Sequence, residues 1–373
     1  MSREDIKYWI KLNMIPGVGS QTYRRLVEYF GSPKAVLNAS LEELEIVRGI
    51  TTSVCHEIVN YRENIFIDRE MELIERHNCD VITIEDDTYP FNLKNIYDPP
   101  PIIYIKGEIN PNNSRAISVV GSRNATQYGK SVAEWISNQL ASQGIMVISG
   151  MAHGIDTAAH NGALDFGGNT IAVVANGLDI VYPPENIRLY ERIINSGAVI
   201  SELPMGTKPH RAHFPKRNRI ISGMSLGTII VEASSKSGAL ITADFALEQG
   251  REVFAVPGQI FSEPSKGTHE LIKQGAKLVD SIEDIINELP SHSYQTSEEG
   301  KINDEDAKVE AQLSQDEKAI WNVIKLSPIH IDDISRQSNL PIYKVSSVLV
   351  MLELKGLIRQ LAGKMFVRKA SSL

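Results

Sequence analysis

Ile117-Ser118-Val119-Val120-Gly121-Ser122-Arg123 is a short, almost wholly apolar run that empties into a glycine turn, and the pattern recurs along the chain. It returns as Met146-Val147-Ile148-Ser149 before Gly150, Ile171-Ala172-Val173-Val174, Ala198-Val199-Ile200, Thr228-Ile229-Ile230-Val231 and Val253-Phe254-Ala255-Val256. Val81-Ile82-Thr83-Ile84 and Ile102-Ile103-Tyr104-Ile105 carry it upstream. Runs this short and this continuously apolar, alternating with helical stretches, are the signature of a parallel sheet covered on both faces. The sequence therefore predicts a doubly wound α/β domain over residues 79–290. In such open sheets ligands bind beyond the carboxyl ends of the strands.

The flanks read differently. Residues 1–78 have helical spacing, with Tyr8, Ile10 and Leu12 and then Tyr23, Leu26, Val27 and Phe30 on apolar faces. Ile15-Pro16-Gly17-Val18-Gly19 between two such helices has the form of a helix-hairpin-helix turn, in which the glycines let backbone N–H groups approach a phosphate. An ordinary helix–helix turn is the competing reading. A second copy at Val47-Arg48-Gly49-Ile50 has Thr51 in place of its second glycine, so it is expected to keep the packing and lose the phosphate. Residues 291–312 turn polar and acidic, as in a flexible linker. In residues 313–373, helices are expected around Lys318–Ile324, around Ile331–Ile334 and from Pro341 to Lys355. A small hairpin follows, with Leu357–Leu361 and Lys364–Arg368 joined by Ala362-Gly363, and together these make a winged helix.

Composition excludes several functions. The 373 residues are 42% hydrophobic, enough for a sizeable core, and the formal net charge is -8. Any phosphate backbone must meet a local patch, and a globally basic, histone-like role is out. Cys55 and Cys79 are too few for a disulfide framework or a four-thiolate zinc site, which points to the reducing cytoplasm. The first residues lead into no apolar signal region, and no stretch has the length of a membrane span, so no membrane association is expected.

The local patch is Lys208-Pro209-His210-Arg211-Ala212-His213-Phe214-Pro215-Lys216-Arg217-Asn218-Arg219. A charge run is usually a solvated face or an ion-pair cluster. Here Phe214 is interleaved with Arg211, Lys216, Arg217 and Arg219, and aromatic rings among cations are what unstacked bases need. Duplex DNA hides its base faces, so the combination leans towards single strands. At the first strand end, Gly121 frees the backbone, Ser122 offers a hydroxyl, and Arg123 presents a fork matched to phosphate oxygens. Arg123 and Asn124 stand where a dinucleotide fingerprint requires more glycines, which disfavours NAD. The next turn, Ser149-Gly150-Met151-Ala152-His153-Gly154, opens a helix carrying Asp156 and His160, but no further ligand comes with that pair, and no metal is expected. Ser237-Gly238 begins one more helix on the same rim. Gly223-Met224-Ser225-Leu226-Gly227 matches a hydrolase nucleophile elbow, but its helix precedes the serine and its strand follows, the reverse of what the elbow needs.

Taken together, Val120-Gly121-Ser122-Arg123, Ser149 to Asp156, Gly177-Leu178-Asp179 with Tyr182-Pro183, Phe214 to Gly223, and Ser237 to Thr242 through Gly250 to Gly258 resemble the DNA-processing protein A family, also called Smf. The resemblance covers the whole sheet domain in order. It implies an extended Rossmann-like sheet flanked by a helix-hairpin-helix or SAM-like domain and a winged helix. It also implies a cytoplasmic, homodimeric, non-enzymatic protein without a cofactor, which shields incoming single-stranded DNA in natural transformation and loads the RecA recombinase. On the matching positions Arg123, Arg211 and Phe214 serve single-stranded DNA, while His269, Ile272 and Leu278 form the dimer face. Some relatives have a DNA-contacting lysine after Tyr182-Pro183; Pro184 and Glu185 stand here.

Two other readings remain beside it. The sheet resembles the lysine-decarboxylase-like nucleoside-monophosphate phosphoribohydrolases, but their Pro-Gly-Gly-x-Gly-Thr motif is absent, and Glu232 precedes Ser237-Gly238 with the wrong glycine count. A sequence-specific regulator would read duplex DNA through the winged helix, whose recognition helix offers only Lys344, Ser346 and Ser347 to bases. A packing or protein-contact role suits that helix as well.

Overall fold

The structure, a computed structural model, describes residues 3–61, 67–109, 115–289, 313–324, 329–338, 340–355, 357–361 and 364–368. The expected linker 291–312 and the hairpin turn Ala362-Gly363 lie outside the described residues. Contacts divide the chain into two compact units, residues 1–290 and 291–373.

Among the described residues, the first unit is built on nine strands: β1 (Asp80–Thr83), β2 (Ile102–Gly107), β3 (Ala116–Val120), β4 (Met146–Ser149), β5 (Thr170–Val173), β6 (Ala198–Ser201), β7 (Gly227–Ile230), β8 (Glu252–Ala255) and β9 (Lys277–Leu278). Their spatial order is β1-β2-β6-β5-β4-β3-β7-β8-β9. From β6 to β9 all neighbours are parallel, with Ile117 opposite Gly227 and Ser118 opposite Thr228 in the β3–β7 register. The sheet is nonetheless mixed, because β2 runs antiparallel to both β1 and β6. Apolar content alone does not encode strand direction, which is why the two upstream runs read like the rest. The two-residue edge strand β9 is too short to show in the sequence pattern.

Side-chain alternation explains why the strands read as unbroken apolar runs. Ile103, Ile105, Ile148, Ile171, Val173 and Ile200 point to one face and pack with Ile220, Ile221 and Ala243. Their neighbours point the other way: Ile117, Val119, Val147 and Ile229 meet Ile136, Leu140, Ile155 and Ala159. Both faces are buried, so both sets must be apolar. Further along that second face, Ile102, Tyr104, Ala172 and Val199 share a cluster with Trp9, Ile10, Tyr23 and Leu26. The helices of residues 3–76 thus close one end of the sheet's own core. Both hairpins take the same turn: Gly17 and Gly49 have φ of 82° and 81°, and Val18 and Ile50 donate to Ile15 O and Val47 O. Arg25 Nη1 donates to Gly49 O at 3.2 Å and covers the second copy.

The second unit contains helices Gln315–Val323, Ile331–Ser338 and Ile342–Leu354 with strands β10 (Ile329–His330), β11 (Ile358–Leu361) and β12 (Met365–Arg368). The sheet order is β10-β12-β11. Ile320, Trp321, Ile334, Val345, Leu349, Leu352, Ile358 and Phe366 form its core. This is a winged helix, with β10 added to the expected hairpin. No described helix is long and apolar enough to cross a membrane.

Candidate nucleic-acid interface

The strand order fixes where a ligand enters. From β3 the chain steps outward through β4, β5 and β6, then returns along the helix His213–Gly223 to place β7 on the other side of β3. At such a reversal the turns after adjacent strands diverge and leave a crevice. A cleft of about 380 Å³ opens there, lined by Gly121, Ser122, Arg123, Phe214, Arg217, Asn218, Ser237 and Gly238 among others. Elements far apart in sequence are brought to one site.

Each wall is held by the backbone. Ser122 N donates to Glu232 O at 2.7 Å and Ile155 N to Ser122 O at 3.2 Å, tying the turn after β3 to its neighbours on both sides. Asn124 N donates to the Ser122 hydroxyl at 3.2 Å. Opposite, the Ser237 side chain caps the helix Gly238–Glu248 by accepting from Ala239 N, and Asn218 Nδ2 donates to Gly238 O at 3.3 Å. At the rim the exposed Arg123 guanidinium lies 4.6 Å from the Phe214 ring centroid, and Tyr182 tilts against that ring at 6.2 Å. Arg211 and Lys216 are exposed nearby in sequence but do not line the cleft. Tyr182 is a member that sequence reasoning missed as a site residue; its only signal was an aromatic ring beside a proline.

Two cations differ from the expectation. Arg217 and Arg219 read as phosphate ligands in the sequence, yet they are only 6% and 7% exposed. Arg217 lies one turn before Ile220 and Ile221, on the side of the helix that faces the sheet. Its Nη1 donates to Val173 O, its Nε to Asn218 Oδ1 at 3.2 Å, and its guanidinium stands 6.0 Å from the Phe214 ring. Asp156 supplies the countercharge, and both press on Gly150, where any Cβ would collide with them. Burial raises the Asp156 carboxyl against the pull of Arg217 and lowers Arg217 to about 10, so Arg217 is a cation at neutral pH. Gly150 therefore serves the floor of the cleft by admitting this pair. Arg219 is an interior tie: it meets Asp98 Oδ2 at 3.2 Å, Asp98 O at 2.8 Å, Ser20 Oγ at 3.3 Å and the Glu202 carboxylate. It joins the N-terminal helices to the sheet.

Other candidates are similarly engaged. His160 is fully buried; its Nε2 donates to Gly150 O at 2.6 Å and its Nδ1 lies 2.7 Å from the Thr170 hydroxyl. Asp156 and His160 thus have separate structural partners. Glu232 accepts from Thr126 N at 2.9 Å and from the Thr126 hydroxyl, at the start of the helix Gln127–Ser142. Ser225 is buried and donates to Ile221 O, with its helix before it and its strand after it, so it is no nucleophile elbow. In the winged helix Lys344 pairs with Asp316 at 2.8 Å, while the Ser346 and Ser347 hydroxyls donate back to Ile342 O and Tyr343 O.

The dimer candidates sit at the far edge of the sheet. His269 Nε2 lies against the Gly258 backbone at 3.0 Å from its oxygen, and Ile272 is half-buried against the core. Leu278, 40% exposed, is on the edge strand β9.

Comparison with known proteins agrees with this architecture. Residues 80–290 match the profile of the DNA recombination-mediator protein A family, and residues 304–364 match the DprA winged helix domain. Protein Smf of Synechocystis is 31% identical over 99% of this chain and 100% of its own length. The DNA processing protein DprA of Bacillus subtilis is 44% identical over 62% of this chain and 78% of its own. The X-ray structure of DprA from Streptococcus pneumoniae superposes with a TM-score of 0.68 at 37% identity, covering 77% of this chain and 99% of that one. A Helicobacter pylori structure described for its single-stranded DNA binding mode gives 0.51 at 29% identity, over 56% of this chain and 94% of that one. The profile match across the whole sheet, with the Gly-Ser-Arg turn and the Phe214 helix inside it, places this chain in the DNA recombination-mediator protein A family.

Proposed function

We propose that this chain binds single-stranded DNA in the cleft at the ends of β3 and β7, protects incoming DNA in natural transformation and loads RecA recombinase onto it. The observation that carries the reading is the Arg123 guanidinium set over the Phe214 ring at the mouth of that cleft. An exposed cation beside an aromatic face meets the phosphate and the base of one nucleotide together, and only an unpaired strand presents the base face. The cleft's small residues and helix start let phosphate oxygens come close to the backbone. The Helicobacter pylori relative's single-stranded DNA binding supports the same use here. The roles in transformation and with RecA, the cytoplasmic setting and the homodimer rest on family membership. The reading is of a protein that acts by binding: the Asp156 carboxylate is buried beside Arg217 and accepts from Ala152 N, and Glu232 is spent on a helix start.

The test is a titration of labelled oligo-dT against matched duplex at two salt concentrations, with a nucleotide-hydrolysis assay alongside. The reading expects single strands to bind more tightly, with no hydrolysis. Equal affinity for duplex, or release of base or phosphate from a nucleotide, overturns it.

A further inference from the structure

We propose that the bound strand does not end at Arg123 but continues into a second, shallower basin, where Lys130 holds the next phosphate. The inference rests on the single-strand reading of the main cleft. The basin encloses about 240 Å³ between the helices Gln127–Ser142 and Ile155–Phe166, and Arg123 forms a wall of both depressions. One guanidinium at the shared wall is where a continuous polyanion would cross from one to the other.

The chemistry of the basin favours an anion. Lys130, exposed in the first turn of its helix, has no ion pair among the described residues. Asn161 accepts from Arg192 Nη1 at 2.9 Å through Oδ1, which leaves its amide N–H groups as the free function. The Thr157 hydroxyl is spent, donating to Ala152 O and accepting from Asn186 Nδ2. Among the described lining residues only Glu134 adds an opposing charge, and it is exposed to solvent. His153, which lines both this basin and the neighbouring depression past Tyr182 and Pro183, has its Nε2 3.6 Å from the Glu185 carboxylate. A strand leaving the Phe214 face over Arg123 meets an ammonium without an ion pair on the Lys130 side, whereas the described lining of the depression past Tyr182 has no lysine. The geometry selects the Lys130 side.

The experiment measures oligo-dT affinity of the full chain across a salt series for Lys130→Ala, Lys130→Arg and Lys94→Ala. Lys94 is an exposed lysine that lines neither depression, so its variant matches the change in net charge. Losing one phosphate contact on a single strand should flatten the log–log salt slope by about 0.7 in Lys130→Ala. Lys130→Arg should restore the slope, and Lys94→Ala should leave it unchanged. A Lys130→Ala slope equal to that of the parent or of Lys94→Ala overturns the second basin. So does a loss of inorganic phosphate binding in Lys130→Ala without any change in the oligo-dT slope. The single-strand reading fails separately, if the unaltered chain shows no preference for oligo-dT or if Phe214→Ala binds normally.

Discussion

Replacing Phe214 tests the core of the functional reading, because the ring lines the cleft and is only half-buried. It stands in the first turn of its helix, half-buried, with Arg123 on it at 4.6 Å and Tyr182 at 6.2 Å. The helix is anchored elsewhere, by buried Ile220, Ile221, Arg217 and Arg219. Phe214→Ala should therefore leave the thermal midpoint nearly unchanged while removing one base–aromatic stack, about 1 to 3 kcal/mol. At about 1.4 kcal/mol per decade this is a loss of about five- to a hundredfold in oligo-dT affinity. Fluorescence anisotropy with labelled oligo-dT reads the loss, and the matched duplex serves as control. Phe214→Leu separates the contributions, since it keeps an apolar side chain of similar bulk and loses the π face. Phe214→Tyr should bind within about twofold of the parent, because its ring still stacks. If Phe214→Leu binds like the parent, stacking is not the contact. If Phe214→Ala melts early and binds normally, the ring belongs to the core and the reasoning fails.

Four more outcomes can be checked. Arg211→Ala should flatten the salt slope for oligo-dT by about 0.7, and an unchanged slope would take Arg211 out of the interface. Arg219→Ala leaves Glu202 and Asp98 without their buried partner and should destabilise the first unit by about 3 to 5 kcal/mol in urea unfolding; a mutant of parental stability would show that the tie is not structural. His160 is held near pKa 4 by burial, below its ordinary 6.5, so on acidification the unfolded chain takes up the proton first. Stability should then fall by up to about 3 kcal/mol between pH 6.5 and 4, and His160→Gln should remove that part of the pH dependence. Charged residues in place of Ile272 and Leu278 should give a folded monomer by light scattering if β9 meets its twin across a two-fold axis, whereas a dimer of normal mass places the interface elsewhere.

What was legible in the sequence was whatever depends on local pattern. Alternating apolar runs gave the sheet, because burial on both faces forces Ile102 and Ile103 alike to be apolar. The turns after β3 and β7 were legible because glycine and serine mark where backbone must come close to something. The direction of β2, the short β9 and the added β10 were not, since each depends on pairing with a distant partner and not on composition. The acidic partners of the cation run were equally hidden. Asp156 lies 61 positions before Arg217, and Asp98 lies 121 before Arg219, so a one-dimensional reading counts as free two cations that the fold neutralises.

That neutralisation bears on how the interface works. On the helix His213–Gly223, Phe214 lines the cleft and Lys216 is exposed outside it, while Arg217 and Arg219 are drawn inward to carboxylates and carbonyls. A buried arginine is costly to desolvate unless its donors find acceptors, and here Arg217 donates to β5 and to Asn218, and Arg219 to the loop at Asp98 and the strand end at Glu202. The helix is thereby fixed in rotation about its own axis. Fixing it also fixes the plane of the Phe214 ring against Arg123, so that little conformational entropy remains to be lost when a base stacks there. On this argument Asp156→Asn, which touches no nucleotide, should weaken oligo-dT binding through the freed Arg217. The weakening should be smaller for Phe214→Ala/Asp156→Asn relative to Phe214→Ala alone, because the ring that the pair positions is already gone. Additive losses in that double-mutant cycle would show instead that the buried pair and the ring act independently.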